Sequence, residues 1–167
     1  MNTYHNARQL LPKMPEEIFT LWFDGRIDAN GWPPVGAVWQ GALRNKSFEI
    51  WQKLEWEKRT VVLNIERFAP SAKDIINGLI EANFNGIRNI YSLYLPDSRK
   101  RILSIMEYIE INKALPGSLI LMEDKGYYEI VDGSHRLAVF FALHANPNVK
   151  QILREEYEVW MGFIQGN

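Results

Sequence analysis

The 167-residue chain contains no cysteine. This absence excludes disulfide bonds, thiolate metal sites, iron–sulfur clusters and catalysis by a thiol. An excess of one charge is also absent, because 19 basic and 20 acidic side chains leave a net charge of −1. That balance argues against a protein that coats nucleic acid by bulk charge. No apolar run approaches the ~18 residues of a membrane span, and the polar N-terminus shows no secretory signal, so we expect a cytoplasmic protein without a membrane partner.

The composition changes near residue 60. Residues 1–59 hold five of the six tryptophans and four of the eight prolines. We expect a Trp-rich helical extension over 1–59, packed on or assembling the core, and a second domain over 60–167. Because clustered tryptophans are typical of a core or an interface, this extension is also a candidate contact for a protein partner or for a second copy of the chain.

Local patterns predict the elements of both parts. In the extension, Pro15-Glu16-Glu17 suits the start of a helix, residues 25–36 are expected to form a loop, and residues 47–58 are expected to form a helix. The segment 90–95 is compatible with a strand or a short helix. Apolar periodicity predicts the other elements: strands over 60–65, 118–122, 127–131 and 157–164, and helices over 71–84, 97–112 and 136–144. The mixture indicates an α+β fold with a small mixed sheet.

The most informative segment follows the third predicted strand. Asp132 ends that strand, and Gly133 permits a sharp turn and the close approach of a ligand to the backbone. The next helix then begins with Ser134, His135 and Arg136. A helix N-terminus carries unpaired N–H groups and the positive end of the helix dipole. The turn from this strand into the helix is therefore suited to binding phosphate.

Structural interpretations compete with the phosphate site. Ser134 suits a simple N-cap, Asp132 and Gly133 suit a simple turn, and Arg136 suits an ion pair with Glu129 or Asp132. A cation in the first turn, however, opposes the helix dipole and requires compensation. An anionic ligand would supply that compensation, so both interpretations stay open.

The segment Asp132–Ala138, preceded by a hairpin over 119–131, resembles the signature of the ParB/sulfiredoxin superfamily. Residues 61–71 are similar to the first strand of that superfamily and to the segment that follows this strand. Residues 101–106 resemble the helix that precedes the hairpin of the superfamily. The resemblance covers roughly residues 60–144 and leaves the Trp-rich extension without a counterpart. It implies a small mixed sheet flanked by helices.

The resemblance also implies nucleotide binding. Sulfiredoxins hold ATP phosphates with a glycine–His–Arg motif and react through a neighbouring cysteine, whose place Ser134 takes here. Sulfinic-acid repair is therefore excluded. ParB proteins bind CTP at the matching loop, and archaeal free-serine kinases bind their nucleotide at a similar one. By this resemblance, Gly133, Ser134, His135 and Arg136 would hold the phosphates of ATP or another NTP with Mg²⁺.

A catalytic set follows from the same resemblance. Asp132 is the candidate Mg²⁺ ligand or base, and His135 is a titratable group beside it. Glu66 follows the first strand, as does the base of the free-serine kinases, although an ion pair with Arg67 or Lys73 is the competing interpretation.

Three functions stay open at this level. The first is an NTP hydrolase or kinase-like phosphotransferase, and the second is a ParB-like nuclease or DNA-processing protein with nucleic acid as partner. The third is a non-catalytic nucleotide-sensing module. The basic cluster Ser98–Arg101 is either a solvated helix face or the seat of a second phosphate.

Overall fold

The computed structural model describes residues 2–94, 97–146, 148 and 153–166. The helices are α1 (Thr3–Leu10), α2 (Glu16–Ile18), α3 (Asp24–Asn30), α4 (Ala37–Ala42), α5 (Phe48–Lys53), α6 (Pro70–Phe84), α7 (Ile90–Tyr94), α8 (Ser98–Asn112) and α9 (Ser134–His144). The strands are β1 (Glu55–Val62), β2 (Ile120–Asp124), β3 (Tyr127–Asp132) and β4 (Glu156–Phe163). A π-helical turn, Phe19–Phe23, joins α2 to α3, and a 3₁₀ turn, Ile65–Arg67, follows β1. The predicted α+β class is confirmed at this level.

The four strands form one mixed sheet in the order β1-β4-β2-β3. Strands β2 and β3 are antiparallel, with Leu121 opposite Ile130, whereas β2 and β4 are parallel. Lys125 and Gly126 both have positive φ angles, of 52° and 82°. Two such residues in a two-residue connection match the twist of the flanking strands, so the predicted hairpin turn lies at these residues.

Backbone contacts divide the chain into two units. Unit 1 comprises Met1–Arg59, Ile120–Asp132 and Val159–Asn167, and unit 2 comprises Thr60–Leu119 and Gly133–Glu158. The predicted boundary near residue 60 coincides with one of these divisions. The β2–β3 hairpin nevertheless groups with the N-terminal segment, so the units differ in membership from the two predicted segments. The division into an extension over 1–59, packed on or assembling the core, and a domain over 60–167 stays a prediction.

The core of unit 1 is aromatic. Trp39 and Trp51 are each 1% exposed. The Trp22 ring stacks on Trp51 with centroids 5.3 Å apart, and Phe23 lies 5.5 Å from Trp39. Such rings bury a large area each and prefer these offset and tilted contacts. The tryptophans that are clustered in the sequence therefore pack together in one core.

Unit 2 is built around α6 and α9. Helix α6 packs against α7, α8 and α9, and α8 also packs against α9. Four consecutive residues of α9, Leu137–Phe140, are buried. A helix buried over four consecutive positions is covered on more than one face, which leaves its first turn and its C-terminal half as its more accessible parts.

Two predicted boundaries in unit 1 are wrong. The expected loop over 25–36 is helical up to Asn30, because the helix ends at Gly31, whose φ is 79°, and not at Gly25. The expected helix over 47–58 ends at Lys53, and β1 begins two residues later. Pairing within the sheet outweighs the helical pattern there, as tertiary context commonly does. The ambiguous segment 90–95 is helical over Ile90–Tyr94.

None of the helices in the described ranges has the length and apolar character required to cross a membrane.

Replacing Gly162 by alanine tests the packing of unit 1. A Cβ at this position in β4 would lie 2.8 Å from the Trp56 ring, and such overpacking typically costs about 1–3 kcal/mol. We expect Gly162→Ala to lower the urea midpoint of unfolding. Gly41→Ala is the matched control, because a Cβ there meets open space within α4 and alanine favours a helix by ~1 kcal/mol. Equal midpoints for the two variants would contradict the packing described.

Candidate anion-binding site

The turn into α9 depends on Gly133. Its φ is 118°, and a Cβ at this position would lie 2.4 Å from Cδ2 of Leu119. Gly133 is the N-cap residue, so no side-chain hydrogen bond caps α9 and Ser134 is the first helical residue. The alternative in which Ser134 is the N-cap is therefore wrong. The first-turn N–H groups of α9 lack a side-chain acceptor at the cap, which is the condition under which a helix N-terminus binds an anion.

His135 is half-buried in the first turn of α9. Its Nε2 atom lies 3.1 Å from Oγ of Ser98. Burial, and then the charge of Arg101, lower the pKa of His135 below its ordinary value. The imidazole is therefore neutral at pH 7, with one N–H donor and one lone pair.

The contact between His135 and Ser98 brings two helix starts together. Ser98 is the first residue of α8 and is 4% exposed, and His135 is the second residue of α9. Arg101 follows within the first turn of α8 and is exposed. Each helix start carries a partial positive charge, so this part of unit 2 combines two positive helix ends with a full cation.

Arg136 has a structural role in addition to its charge. Its Nη1 atom donates hydrogen bonds to the carbonyl oxygens of Pro116 and Ser118, each at 3.0 Å. Gly117 lies between them with a φ of 66°, and a Cβ on it would come within 3.2 Å of the same nitrogen. The guanidinium thus stabilises the turn that precedes β2. Its predicted contact with phosphate stays a prediction.

Glu66 forms the ion pair that competes with its proposed role as a base. Its Oε2 atom accepts a hydrogen bond from Nζ of Lys73 at 2.9 Å, and its side chain is 76% exposed. Within the described ranges, no hydrogen bond or ion pair connects Glu66 with His135. Its role as a catalytic base therefore stays a prediction.

Asp132 ends β3 opposite Ile120, within unit 1. Burial lowers the pKa of Arg44, while the charges of Glu129 and Asp132 oppose that effect. The Arg44 Nη2 atom also donates to the carbonyl of Val131 at 2.8 Å. Asp132 therefore helps to balance a largely buried cation, which is a structural role that the sequence did not indicate.

The described residues contain no group of three or more His, Cys, Asp or Glu side chains that could hold a metal ion. Protein Mg²⁺ sites commonly use one or two carboxylates together with substrate phosphates. A single carboxylate such as Asp132 would need the phosphate oxygens of a substrate to complete such a site, and we assign no chemical step to Mg²⁺. The metal-binding role of Asp132 stays a prediction.

Asn83 is the site residue that sequence reasoning missed. It lies on the buried stripe of α6 that also holds Ile76 and Leu79, is 9% exposed, and donates to Ser98 Oγ at 3.2 Å. An amide within an apolar stripe is a detectable signal, because a buried polar group requires partners. Its partner lies 15 residues away on another helix, so the sequence pattern could not identify it.

Replacing Arg136 by alanine tests its structural role. The variant loses two hydrogen bonds from a charged donor, and such bonds contribute roughly 1.5–3 kcal/mol each. We expect Arg136→Ala to reduce the free energy of unfolding by at least the contribution of one such bond, about 1.5–3 kcal/mol, measured by urea denaturation. Lys100→Ala is the control, because this exposed side chain lies on α8 and surface substitutions typically change stability by under ~0.5 kcal/mol. Equal stabilities would show that the carbonyl contacts contribute nothing.

Comparison with known proteins gives no relative from which a function could be transferred. No protein-family model matches the chain, and no match is found among the curated proteins or the solved structures. Function is consequently inferred from the residues and geometry of unit 2.

Proposed function

We propose that the first turns of α8 and α9 bind the phosphate groups of a nucleotide. The observation that carries this proposal is the 3.1 Å contact between Ser98 Oγ and His135 Nε2, which joins two helix N-termini. Each N-terminus is equivalent to roughly half a positive charge. The first-turn N–H groups of a helix have no intrahelical acceptor, and no side-chain hydrogen bond caps either α8 or α9. Two such helix starts together attract an anion more strongly than either alone.

We call the contact between the starts of α8 and α9 the junction. The side chains around it support the same ligand class. Arg101 is exposed, and within the described part of the chain neither a hydrogen bond nor an ion pair engages its guanidinium. His135 is neutral and retains one N–H donor, and Ser134 adds a hydroxyl at the uncapped start of α9. Since the whole chain has a net charge of −1, this positive character is local and does not reflect an overall basic composition.

We propose further that the chain is a member of the ParB/sulfiredoxin superfamily. The support is the order of elements: an antiparallel hairpin, β2–β3, leads through Gly133 into a helix that begins Ser-His-Arg. The resemblance then favours ATP or another NTP as the ligand, and hydrolysis or phosphoryl transfer as the activity. Such reactions depend mainly on positioning and on the neutralisation of phosphate charge, for which the junction supplies donors and cations.

Binding of ATP, CTP, GTP and tripolyphosphate tests the site directly. A ligand that binds only the folded chain stabilises it by about 2.7 kcal/mol at a hundredfold excess over Kd, so at least one of these anions should raise the Tm. Arg101→Gln should reduce that shift, because it removes a cation from the junction. Arg88→Gln is the matched control, an exposed arginine outside the helix starts. The proposed site would be ruled out if no anion raised the Tm, or if the rise in Tm were equal in both variants.

The pH dependence of binding gives a second readout of the same experiment. A bound anion favours the charged imidazole, so it should raise the pKa of His135 from its lowered value. By linkage, affinity should then increase as the pH falls through the pKa of the bound state. An affinity that is unchanged between pH 8 and pH 5.5, beyond the titration of the phosphate itself, would place the anion away from His135.

Release of inorganic phosphate from a bound nucleotide distinguishes an enzyme from a sensor. If Glu66 is the base, Glu66→Gln should slow release while leaving Kd unchanged, because it removes a proton acceptor and not a ligand contact. Loss of the exposed pair with Lys73 should cost only ~0–1 kcal/mol. Glu81→Gln, also exposed and on α6, should leave both quantities unchanged. If the unmodified chain binds a nucleotide but releases no inorganic phosphate, the junction is a nucleotide-sensing site and not an active site.

A further inference from the structure

Three side chains in unit 2 form a continuous hydrogen-bonded series. Asn83 on α6 contacts Ser98 on α8, and Ser98 contacts His135 on α9. Asn83 and Ser98 are 9% and 4% exposed, so water competes little for their hydrogen bonds. The direction in which each hydrogen bond runs can therefore be worked out from the donors and acceptors present.

The amide of Asn83 has one defined orientation. Its Nδ2 atom lies 2.9 Å from the carbonyl oxygen of Leu79 and 3.2 Å from Oγ of Ser98. A carbonyl oxygen only accepts, so the atom that faces Leu79 must be the amide nitrogen. An amide nitrogen carries two hydrogens and does not accept, so its second hydrogen is directed to Ser98 Oγ.

The hydroxyl hydrogen of Ser98 then has one partner among the described residues. Ser98 Oγ accepts from Asn83, and its own hydrogen requires an acceptor because the side chain is buried. Within the described ranges, the lone pair on Nε2 of His135 is the acceptor within hydrogen-bonding distance, at 3.1 Å. If Nε2 carried a hydrogen instead, Ser98 would accept twice and leave its hydroxyl hydrogen unpaired.

We propose that Ser98 is a positioning residue that fixes His135 in the tautomer protonated at Nδ1, with Nε2 accepting the Ser98 hydroxyl. Asn83 sets the direction of this series. The Nδ1–H group is then the donor that the imidazole offers to a ligand, and Nε2 is not available to remove a proton from a substrate. Donation from Nδ1–H to a ligand rests on the proposed function. The assignment of the tautomer does not.

The surroundings of His135 agree with a neutral ring. The charge that acts on it among the described residues is Arg101 of α8, which opposes protonation. Helix α6 contributes the uncharged amide of Asn83 to the series. No described carboxylate forms an ion pair with the ring, so burial and one cation act in the same direction.

NMR of the full chain labelled with ¹⁵N-histidine tests this assignment without any ligand. The chain has three histidines, and His135→Gln identifies the signals of His135. His144 is an internal reference, because its Nδ1 faces the carbonyl of Phe140 at 3.1 Å and must carry the hydrogen. We expect His135 to show the same Nδ1–H pattern as His144 and a pKa below that of a solvated histidine. An Nε2–H pattern in the unmodified chain would overturn the proposal.

Variants of Ser98 separate positioning from simple packing. Ser98→Ala removes the hydroxyl donor, so the Nε2–H tautomer should gain population and the pKa of His135 should rise. Ser98→Thr retains the hydroxyl and should restore the Nδ1–H pattern. The signals of His144 should stay constant in both variants and so report an intact fold. An unchanged His135 tautomer and pKa in Ser98→Ala would also overturn the proposal.

Addition of tripolyphosphate to the same samples distinguishes the two proposals. If both hold, the Nδ1 signal of His135 shifts on binding, and Ser98→Ala binds roughly threefold to tenfold more weakly, the loss expected for one hydrogen bond. If the phosphate site is wrong, tripolyphosphate leaves the signal unchanged while the tautomer result stands. A normal affinity in Ser98→Ala would overturn the role of Ser98 at the ligand.

Discussion

The close approach of two helix N-termini is the constraint on which the proposed chemistry of unit 2 depends. Partial positive charges at the starts of α8 and α9 repel each other, and the first-turn N–H groups of both helices have no intrahelical acceptor. The contact between Ser98 and His135 is compatible with this arrangement because both side chains are neutral. An imidazolium at this point would add a further positive charge beside the two helix starts and Arg101, so burial and Arg101 both disfavour protonation of His135.

Arg136 shows that a cation in a first helical turn can be compensated without a ligand. The charge of Arg136 opposes the helix dipole and requires compensation, and an anionic ligand is one way to supply it. In the structure, the carbonyl oxygens of Pro116 and Ser118 accept from the same guanidinium nitrogen, so carbonyl dipoles supply part of it. An anion in this part of unit 2 is therefore favoured more by Arg101 and the uncapped start of α9 than by Arg136.

The sequence predicted helices α6 and α8 of unit 2 and the β2–β3 hairpin of unit 1 better than the elements of the N-terminal segment, for a physical reason. Helices α6 and α8 carry apolar residues at helical spacing, and the β2–β3 hairpin has turn residues at its centre, so local patterns and tertiary packing agree. In residues 25–36 and 55–58 they disagree. Glycine and aspartate suggested a loop where α3 continues, and residues that suggested a helix pair as β1. Tertiary contacts decided those segments, and the partners in those contacts are distant in sequence.

The same distinction applies to the site. The segment Gly133–Arg136 and the cluster Ser98–Arg101 were recognisable separately, because each places polar residues at a helix start. Their contact depends on how α8 packs against α9, which no local pattern contains. Asn83 was detectable only as a polar interruption of an apolar stripe, and its function as the donor to Ser98 required coordinates.

The nature of the groups at the junction bears on the ligand that it would select. An exposed arginine is screened by salt within about 10 Å at 0.1 M, so Arg101 contributes attraction but little geometric discrimination. The first-turn N–H groups and the fixed Nδ1–H of His135, in contrast, are directional donors held by helices. Directional donors favour an anion with several acceptor oxygens over a monatomic one. Selection of a phosphate over chloride would thus come from the backbone and from the orientation of His135, and the orientation depends in turn on the buried hydroxyl of Ser98.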